Sequence, residues 1–461
     1  MSLHATVLVL YLGFLFAFGI AKTGRVRTQA DFAVAGRGLS PFVLVGTMLA
    51  TWIGTGSIFG NAERTYEVGI ATWFFPIPSM LGIVILALLA RRIRRVEGFT
   101  VQDILEARFG VGARLLGTIT LVLAYVTIVS YQFRAAGLVL NLAVPEIPFE
   151  TAVIISAIAI VLYTAVAGLK SVAHTDVING ILMVVGIGVL IPVFFVKAGG
   201  FDGVAAALPE DHRQLMGPFS PIEMLGLFLP AFLLVLGDAN MFQRFFSARD
   251  ERAAQTAARW LVLGVVLVDG GIIVAAWLAS ALEPGLDDPG KVIAYAGLHH
   301  LPPLGSALLL AVILAIIVST ADSFILVTST CLVRDVYQRF LKRDASEISL
   351  VWASRAAVVV VGGWAFVQST FSDEFLSVAF YAYTIYGAGI TPSILAGLLW
   401  KRARAAGAVA SIVGGTATTL TWELRGMAAS TGIEAVVPAI VVSTALLVGV
   451  SLAVGGKYSE E

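Results

Sequence analysis

Ser319, Thr320, Asp322 and Ser323 stand inside an apolar run that extends from about Ser306 to Cys331. As a helix that run is long enough to cross a bilayer, where hydroxyls and carboxylates find no water and need partners within the protein. At helical spacing, positions 316, 319, 320 and 323 share one stripe, with Asp322 at its edge. Such a stripe of oxygens suits a hard monovalent cation such as Na⁺. The hydroxyls can instead bond back to carbonyls one turn earlier, as hydroxyls in membrane helices often do. An aspartate within a membrane span is a functional-site hypothesis by default, and Asp322 tips the balance towards a site.

The whole chain suits such a setting. Of its 461 residues 58% are hydrophobic and 13% charged, with a mean hydropathy of +0.91, which excludes an ordinary soluble domain. The expectation is an all-α polytopic protein in a lipid bilayer, with no nucleic-acid partner. Cys331 is the lone cysteine, so there is neither a disulfide framework nor a cysteine-based metal site, and the five histidines show no metal-binding spacing. The first apolar segment lacks a basic n-region and a convincing cleavage site, and reads as a retained span.

A window of about 20 apolar residues per span yields thirteen helices. They lie near 3–22, 41–67, 70–91, 114–141, 149–169, 172–197, 221–243, 256–282, 305–332, 350–370, 374–400, 405–424 and 434–455. Assigning the connectors alternately to two sides puts 24 of the 30 Lys and Arg on one side, Arg25, Arg244 and Lys457 among them. By the positive-inside rule that side is cytoplasmic, with the N-terminus outside and the C-terminus inside. Between the third and fourth spans, Val96 to Arg108 reads as an amphipathic surface helix capped by Thr100. Segments 199–220 and 283–303 read as external loops with short interfacial helices.

Two spans are interrupted. Gly54 and Gly56 permit unwinding of the second, and Pro230 followed by Gly237-Asp238-Ala239-Asn240 interrupts the seventh. Unwound carbonyls at membrane depth are tolerated where they are buried in protein or line a cavity. A broken helix opening each of two five-helix groups, 41–197 and 221–402, points to an inverted-repeat transporter built as one domain over 1–461.

Several motifs, in this order and at these depths, carry a resemblance. They are Asp31 to Leu39, Ala50 to Ser57, Gly168-Leu169-Lys170-Ser171 to Thr175-Asp176, Gln243-Arg244-Phe245-Phe246, Ser319 to Ser323 with Asp335-Val336-Tyr337, and Gly387-Ala388-Gly389 to Pro392. Together they resemble the sodium:solute symporter family, which handles proline, pantothenate, sialic acid, choline and glucose. The resemblance implies a LeuT-like five-plus-five inverted repeat with one preceding and two following helices. It implies a sodium site built from the carbonyls of Ala50, Ile53 and Ile316 and the hydroxyls of Ser319 and Thr320. Asp176 and Ser323 match positions of a second sodium site in some members, while Asp322 stands where others have a hydroxyl. The alternative for Asp176 is a helix cap.

The substrate cavity is expected beside the breaks. Its candidate lining is Trp52, Thr55 and Ser57, Trp73 and Phe74, Gly237 and Asn240, and Tyr383 and Tyr386. Arg134, a guanidinium within a span, can clamp a substrate carboxylate or pair with Glu63 or Glu67. The resulting expectation is a sodium-coupled secondary active transporter that imports a small, polar, carboxylate-bearing solute by alternating access. Proton coupling through Asp322 and Asp176 is the alternative mechanism. A sensor is the alternative class, and the expectation is that it would need a separate partner. The sequence shows no ATP-binding loop, and the paired acids or clustered His and Cys of an enzyme are missing apart from Asp322 and Asp176. Nothing in it speaks against a monomer.

Overall fold

The apolar runs form the helices, most of them continuous through internal glycine, and two central spans break beside Gly54-Thr55-Gly56 and at Gly237-Asp238. The computed structural model describes residues 2–23, 26–215, 217, 219–371 and 375–454. Of the cations sorted above, Arg25 and Lys457 lie outside the described residues. The chain runs through α1 (Leu3–Thr23), α2 (Pro41–Trp52), α3 (Asn61–Val68), α4 (Pro76–Arg95), α5 (Gln102–Phe109), α6 (Val111–Ala143) and α7 (Phe149–Lys197). It continues through α8 (Pro221–Gly237), α9 (Ala239–Ser247), α10 (Glu251–Leu282), α11 (Pro303–Cys331), α12 (Glu347–Gln368), α13 (Phe375–Gly389), α14 (Thr391–Leu399), α15 (Ala405–Leu424) and α16 (Val436–Ala453). Among the described residues the one β-type contact is an isolated bridge between Leu39 and Ala248.

Ten of these helical segments are long and apolar enough to cross a membrane, or eleven if the bent pair Pro41–Trp52 and Gly56–Phe74 is one span. A count of thirteen further requires that α7 be two passes and α15 one. In α7, Gly168 takes φ 63° and ψ 168°, a backbone only glycine adopts without strain, and there the 49-residue segment turns.

At the centre stands α11, buried on every side from Leu309 to Cys331 and packed on α6, α7 and α2. A helix apolar all round belongs inside a bundle, and here its few hydroxyls must meet protein. The two breaks share one backbone conformation: Ile53 ends α2 at φ −77°, ψ 112°, and Asp238 ends α8 at φ −55°, ψ 114°. Pro230 lies within α8 and does not itself end it.

Two expectations change at the end of the bundle that carries the basic connectors. Arg244 is not in a loop: α9 continues the broken span through Ser247, and Arg244 is fully buried within it. The helix after Val96 forms as α5, but Thr100 does not cap it. The Asp103 carboxylate accepts from Phe99 N at 2.7 Å and Thr100 N at 3.1 Å, while the Thr100 hydroxyl donates to Asp335 at 3.2 Å. One face of α5 is buried through Gln102, Ile104, Leu105 and Phe109, while Ala107 and Arg108 are exposed.

Candidate functional site

The first break supplies the oxygens. Ile53 N bonds Leu49 O at 3.0 Å, and there the regular ladder of α2 stops. The carbonyls of Ala50 and Ile53 turn instead to the hydroxyl stripe of α11. Ser319 Oγ lies 2.9 Å from Ala50 O and 3.0 Å from Ile316 O; Thr320 Oγ1 lies 2.9 Å from Ile53 O, 3.1 Å from Ile316 O and 3.3 Å from Ala50 O. Ser319 also bonds back to Ala315 O at 2.8 Å, the local bond weighed from the sequence. All five expected residues therefore converge, each buried.

Two hydroxyl protons cannot serve all these carbonyls at once. The surplus of acceptors, all neutral oxygens in a dry interior, fits a hard cation that oxygen ligands hold. Gly54 is needed beside it, because a Cβ there would lie 3.0 Å from both Thr320 Cγ2 and Oγ1.

One helical turn further along α11 lies a charged cluster. Thr47 Oγ1 donates to Asp176 Oδ2 at 2.6 Å, and Asp176 Oδ1 is buried without a hydrogen-bond partner. The Ser323 hydroxyl lies 3.4 Å from Asp322 Oδ1 and 3.0 Å from Thr51 Oγ1. Asp176, Asp322 and Ser323 are thus near neighbours, as the sequence proposes. The sequence does not place Arg244 among them. Its Nη2 donates to Ser323 Oγ at 2.6 Å and Thr51 Oγ1 at 2.9 Å, and the guanidinium interacts electrostatically with Asp176, Asp238 and Asp322. Asp176 is no helix cap, since α7 runs through it.

A small cavity of about 50 Å³ lies on the other side of the first break. Trp52, Ser57 and Tyr383 line it, as expected, together with Asn61, Phe75, Ser79, Phe380 and Asp269. Other candidates point elsewhere. Trp73 donates its indole N–H to Leu215 O at 3.0 Å, and Phe74 packs on Phe75 and Phe219. The sequence starts this span near residue 70, but Gly69–Phe74 is a short tight turn and the helix begins at Pro76. Phe75 and Ser79, one turn apart, take the cavity face instead. The Thr55 hydroxyl donates to Gln132, and Asn240 accepts from Arg244 Nη1 at 3.1 Å. Tyr386 stacks on Tyr125 and donates to Gly237 O at 2.7 Å, so it braces the second break. Arg134 lies over the Phe149 ring, donates to Ser369 O at 3.1 Å and comes within 3.8 Å of Glu150. It does not line this cavity.

Two acids were given no role from the sequence, although Asp238 stands in the stretch read as a break. Asp238 accepts from Tyr125 and from Asn240 N at the second break, and Asp269 on α10 faces the cavity. The signal was present in Leu267-Val268-Asp269-Gly270-Gly271, an acid within an apolar span.

A second cavity, of about 320 Å³, is lined by Glu63, Arg64, Glu67, Glu423 and Glu434. Leu227 and Phe380 line both cavities, so the two lie side by side with these residues between them.

A model of the Sodium:solute symporter family matches residues 32–415. The osmoregulated proline transporter OpuE of Bacillus subtilis (strain 168) is 27% identical over 432 residues, spanning 90% of this chain and 87% of its own. The sodium/pantothenate symporter of Escherichia coli (strain K12) is 28% identical over 480 residues, spanning 96% and 95%. Among solved structures, a substrate-bound, outward-open Na⁺-coupled sialic acid symporter superposes with a TM-score of 0.84 at 19% identity over 99% of both chains. The fold is therefore the LeuT-like one.

Proposed function

The chain belongs to the sodium:solute symporter family and is a sodium-coupled symporter of a small molecule, and we propose that the break after α2 is where its two ligands are joined. One stretch serves both. Ala50 and Ile53 give carbonyls to the cation with Ile316, Ser319 and Thr320, while Trp52 and Ser57 face the small cavity. This single observation carries the reading. Sodium holding α2 against α11 would organise the side chains that meet the solute, and the solute would in turn favour sodium, since coupling between two ligands is reciprocal.

In this reading the solute enters through the larger cavity and is held in the smaller one by Trp52, Ser57 and Tyr383. Two inverted repeats, 41–197 and 221–402, move against each other with the N-terminus outside and the C-terminus inside, and no covalent chemistry takes place. The buried, unpartnered Asp176 Oδ1 favours a second cation, sodium or proton, at Asp176, Asp322 and Ser323. Arg244 already supplies one positive charge there.

The test is a sodium titration of the purified protein, read by tryptophan fluorescence against a potassium control. Ser319→Ala and Thr320→Ala each remove one ligand oxygen and should raise the half-saturating sodium concentration about tenfold. Unchanged sodium affinity in both variants would overturn the assignment.

A further inference from the structure

The small cavity contains a charge that the proposed transport cycle has not yet used. Asp269 is 3% exposed, and its Oδ1 is buried without any hydrogen-bond partner. Ser57 is the side chain beside it, and among the described residues no Lys, Arg or His lines the cavity. The aromatic side chains of Trp52, Phe75, Phe380 and Tyr383 line the same cavity. A buried carboxylate with an idle oxygen is costly unless something positive meets it. Aromatic faces attract cations through the same negative potential that repels anions.

The approach has the same sign. Among the described residues, Glu63, Glu67, Glu423 and Glu434 line the larger cavity against one cation, Arg64, which is already paired with Glu67 at 2.7 Å. A cleft of one sign between apolar walls raises the local concentration of the opposite charge. Leu227 and Phe380 divide this acidic cleft from the chamber of Asp269. A solute that bore only a carboxylate would meet repulsion at both levels. The carboxylate preference inferred from Arg134 also loses its geometric basis, because Arg134 lies outside both cavities.

We propose that the transported solute carries a cationic nitrogen and that Asp269 is its counter-ion, with the aromatic faces of the cavity closing around it. An ammonium with N–H groups would donate to Asp269 Oδ1; a quaternary ammonium would rely on the charge and the rings. The proposal rests on the symport reading above and narrows its substrate.

The experiment is ligand binding to the full-length purified protein, in sodium and in potassium, read by thermal shift and by tryptophan fluorescence. The probes are ethanolamine, L-proline and choline, each with a cationic nitrogen, against propionate, pantothenate and glucose, which have none. The expected result is a sodium-dependent response to at least one of the first three and to none of the last three. Choline alone would mark a quaternary site, ethanolamine or proline an N–H one. Asp269→Asn, which keeps the shape and removes the charge, should weaken that binding about tenfold or more. Its response to sodium alone should stay unchanged, which reports that it is folded. Asp269→Glu should bind more tightly than Asp269→Asn. Sodium-dependent binding of propionate, pantothenate or glucose, no response to any cationic probe, or wild-type affinity in Asp269→Asn would each overturn the proposal. Loss of the wild-type response to sodium itself would instead count against the symport reading, so the two failures are told apart.

Discussion

Gly54 shows how the proposed ion site depends on single atoms. It has no left-handed backbone to explain it, so its role is space: an added Cβ would lie 3.0 Å from Thr320 Oγ1 and 3.1 Å from Gln132 Nε2. Gly54→Ala should therefore displace a ligand hydroxyl without removing it, and raise the half-saturating sodium concentration about tenfold, some 1.4 kcal/mol. A titration curve that overlays the wild type would show that Thr320 is not held there for the ion. At the neighbouring cluster, Asp176→Asn removes the charge whose Oδ1 stands without a partner. If a second sodium binds there, the Hill coefficient of sodium-driven uptake should fall from near two towards one. A wild-type coefficient of one at every pH would argue for a single cation. At this scale Ser319, Thr320 and Ser323 were legible because helical spacing alone puts them on one face. Ala50 and Ile53 were not, since a carbonyl ligand leaves no mark in residue type and came only through family resemblance. Phe75 was missed because a tight turn, Gly69–Phe74, delays the start of its helix and rotates the face that meets the cavity.

The elements that hold these residues are helices interrupted on purpose, and the interruptions need their own satisfaction. At the second break Asp238 caps α9: its carboxylate accepts from Asn240 N at 3.0 Å and from the Tyr125 hydroxyl, which in turn accepts from Ala239 N at 2.9 Å. Asp238→Ala leaves those donors buried and unpaired and should cost about 2 kcal/mol, seen as a lower Tm in detergent. Asp238→Asn keeps an acceptor oxygen for the cap and should recover much of the loss. Equal Tm values for Ala and wild type would show that the break is held by packing alone. The helices themselves were readable from apolar run length, and both breaks from glycine and proline. The exact residue at each break was not. Pro230 sits inside α8 without ending it, whereas Asp238, polar and outwardly unremarkable beside Gly237, ends it. Arg244 was misread for a related reason: a helix restarted by a cap continues past the point where hydropathy falls away.

Across the whole molecule the two ends differ. One end opens into the acidic cavity, and the other is tied by Arg114, which pairs with Asp103 at 2.8 Å and with Glu106 and Asp335. Asp335 also accepts from Thr118 at 3.1 Å and from Thr100 at 3.2 Å, so α5, α6 and the continuation of α11 are joined through one buried carboxylate. In the proposed alternating-access cycle this junction would have to part for the solute to leave on that side. The chain carries its own reporter: Cys331, the lone cysteine, is fully buried at the end of α11 with Sγ 3.4 Å from Gln102 Oε1. Removing one partner of a buried ion pair is strongly destabilising for the state that contains it, and each 1.4 kcal/mol multiplies the opened population tenfold. Asp335→Asn should therefore let a membrane-permeant maleimide reach Cys331 at least about tenfold faster than in the wild type, as labelling of a transiently opened state follows its population. Sodium should slow labelling in both proteins, because the proposed ligand oxygens, which bring α2 against α11, are in place while this junction is closed. Labelling of Asp335→Asn at the wild-type rate would mean that the junction is not the latch. A sodium effect of the opposite sign would place the sodium-bound form on the inward side of the cycle, and with it the order in which ion and solute leave.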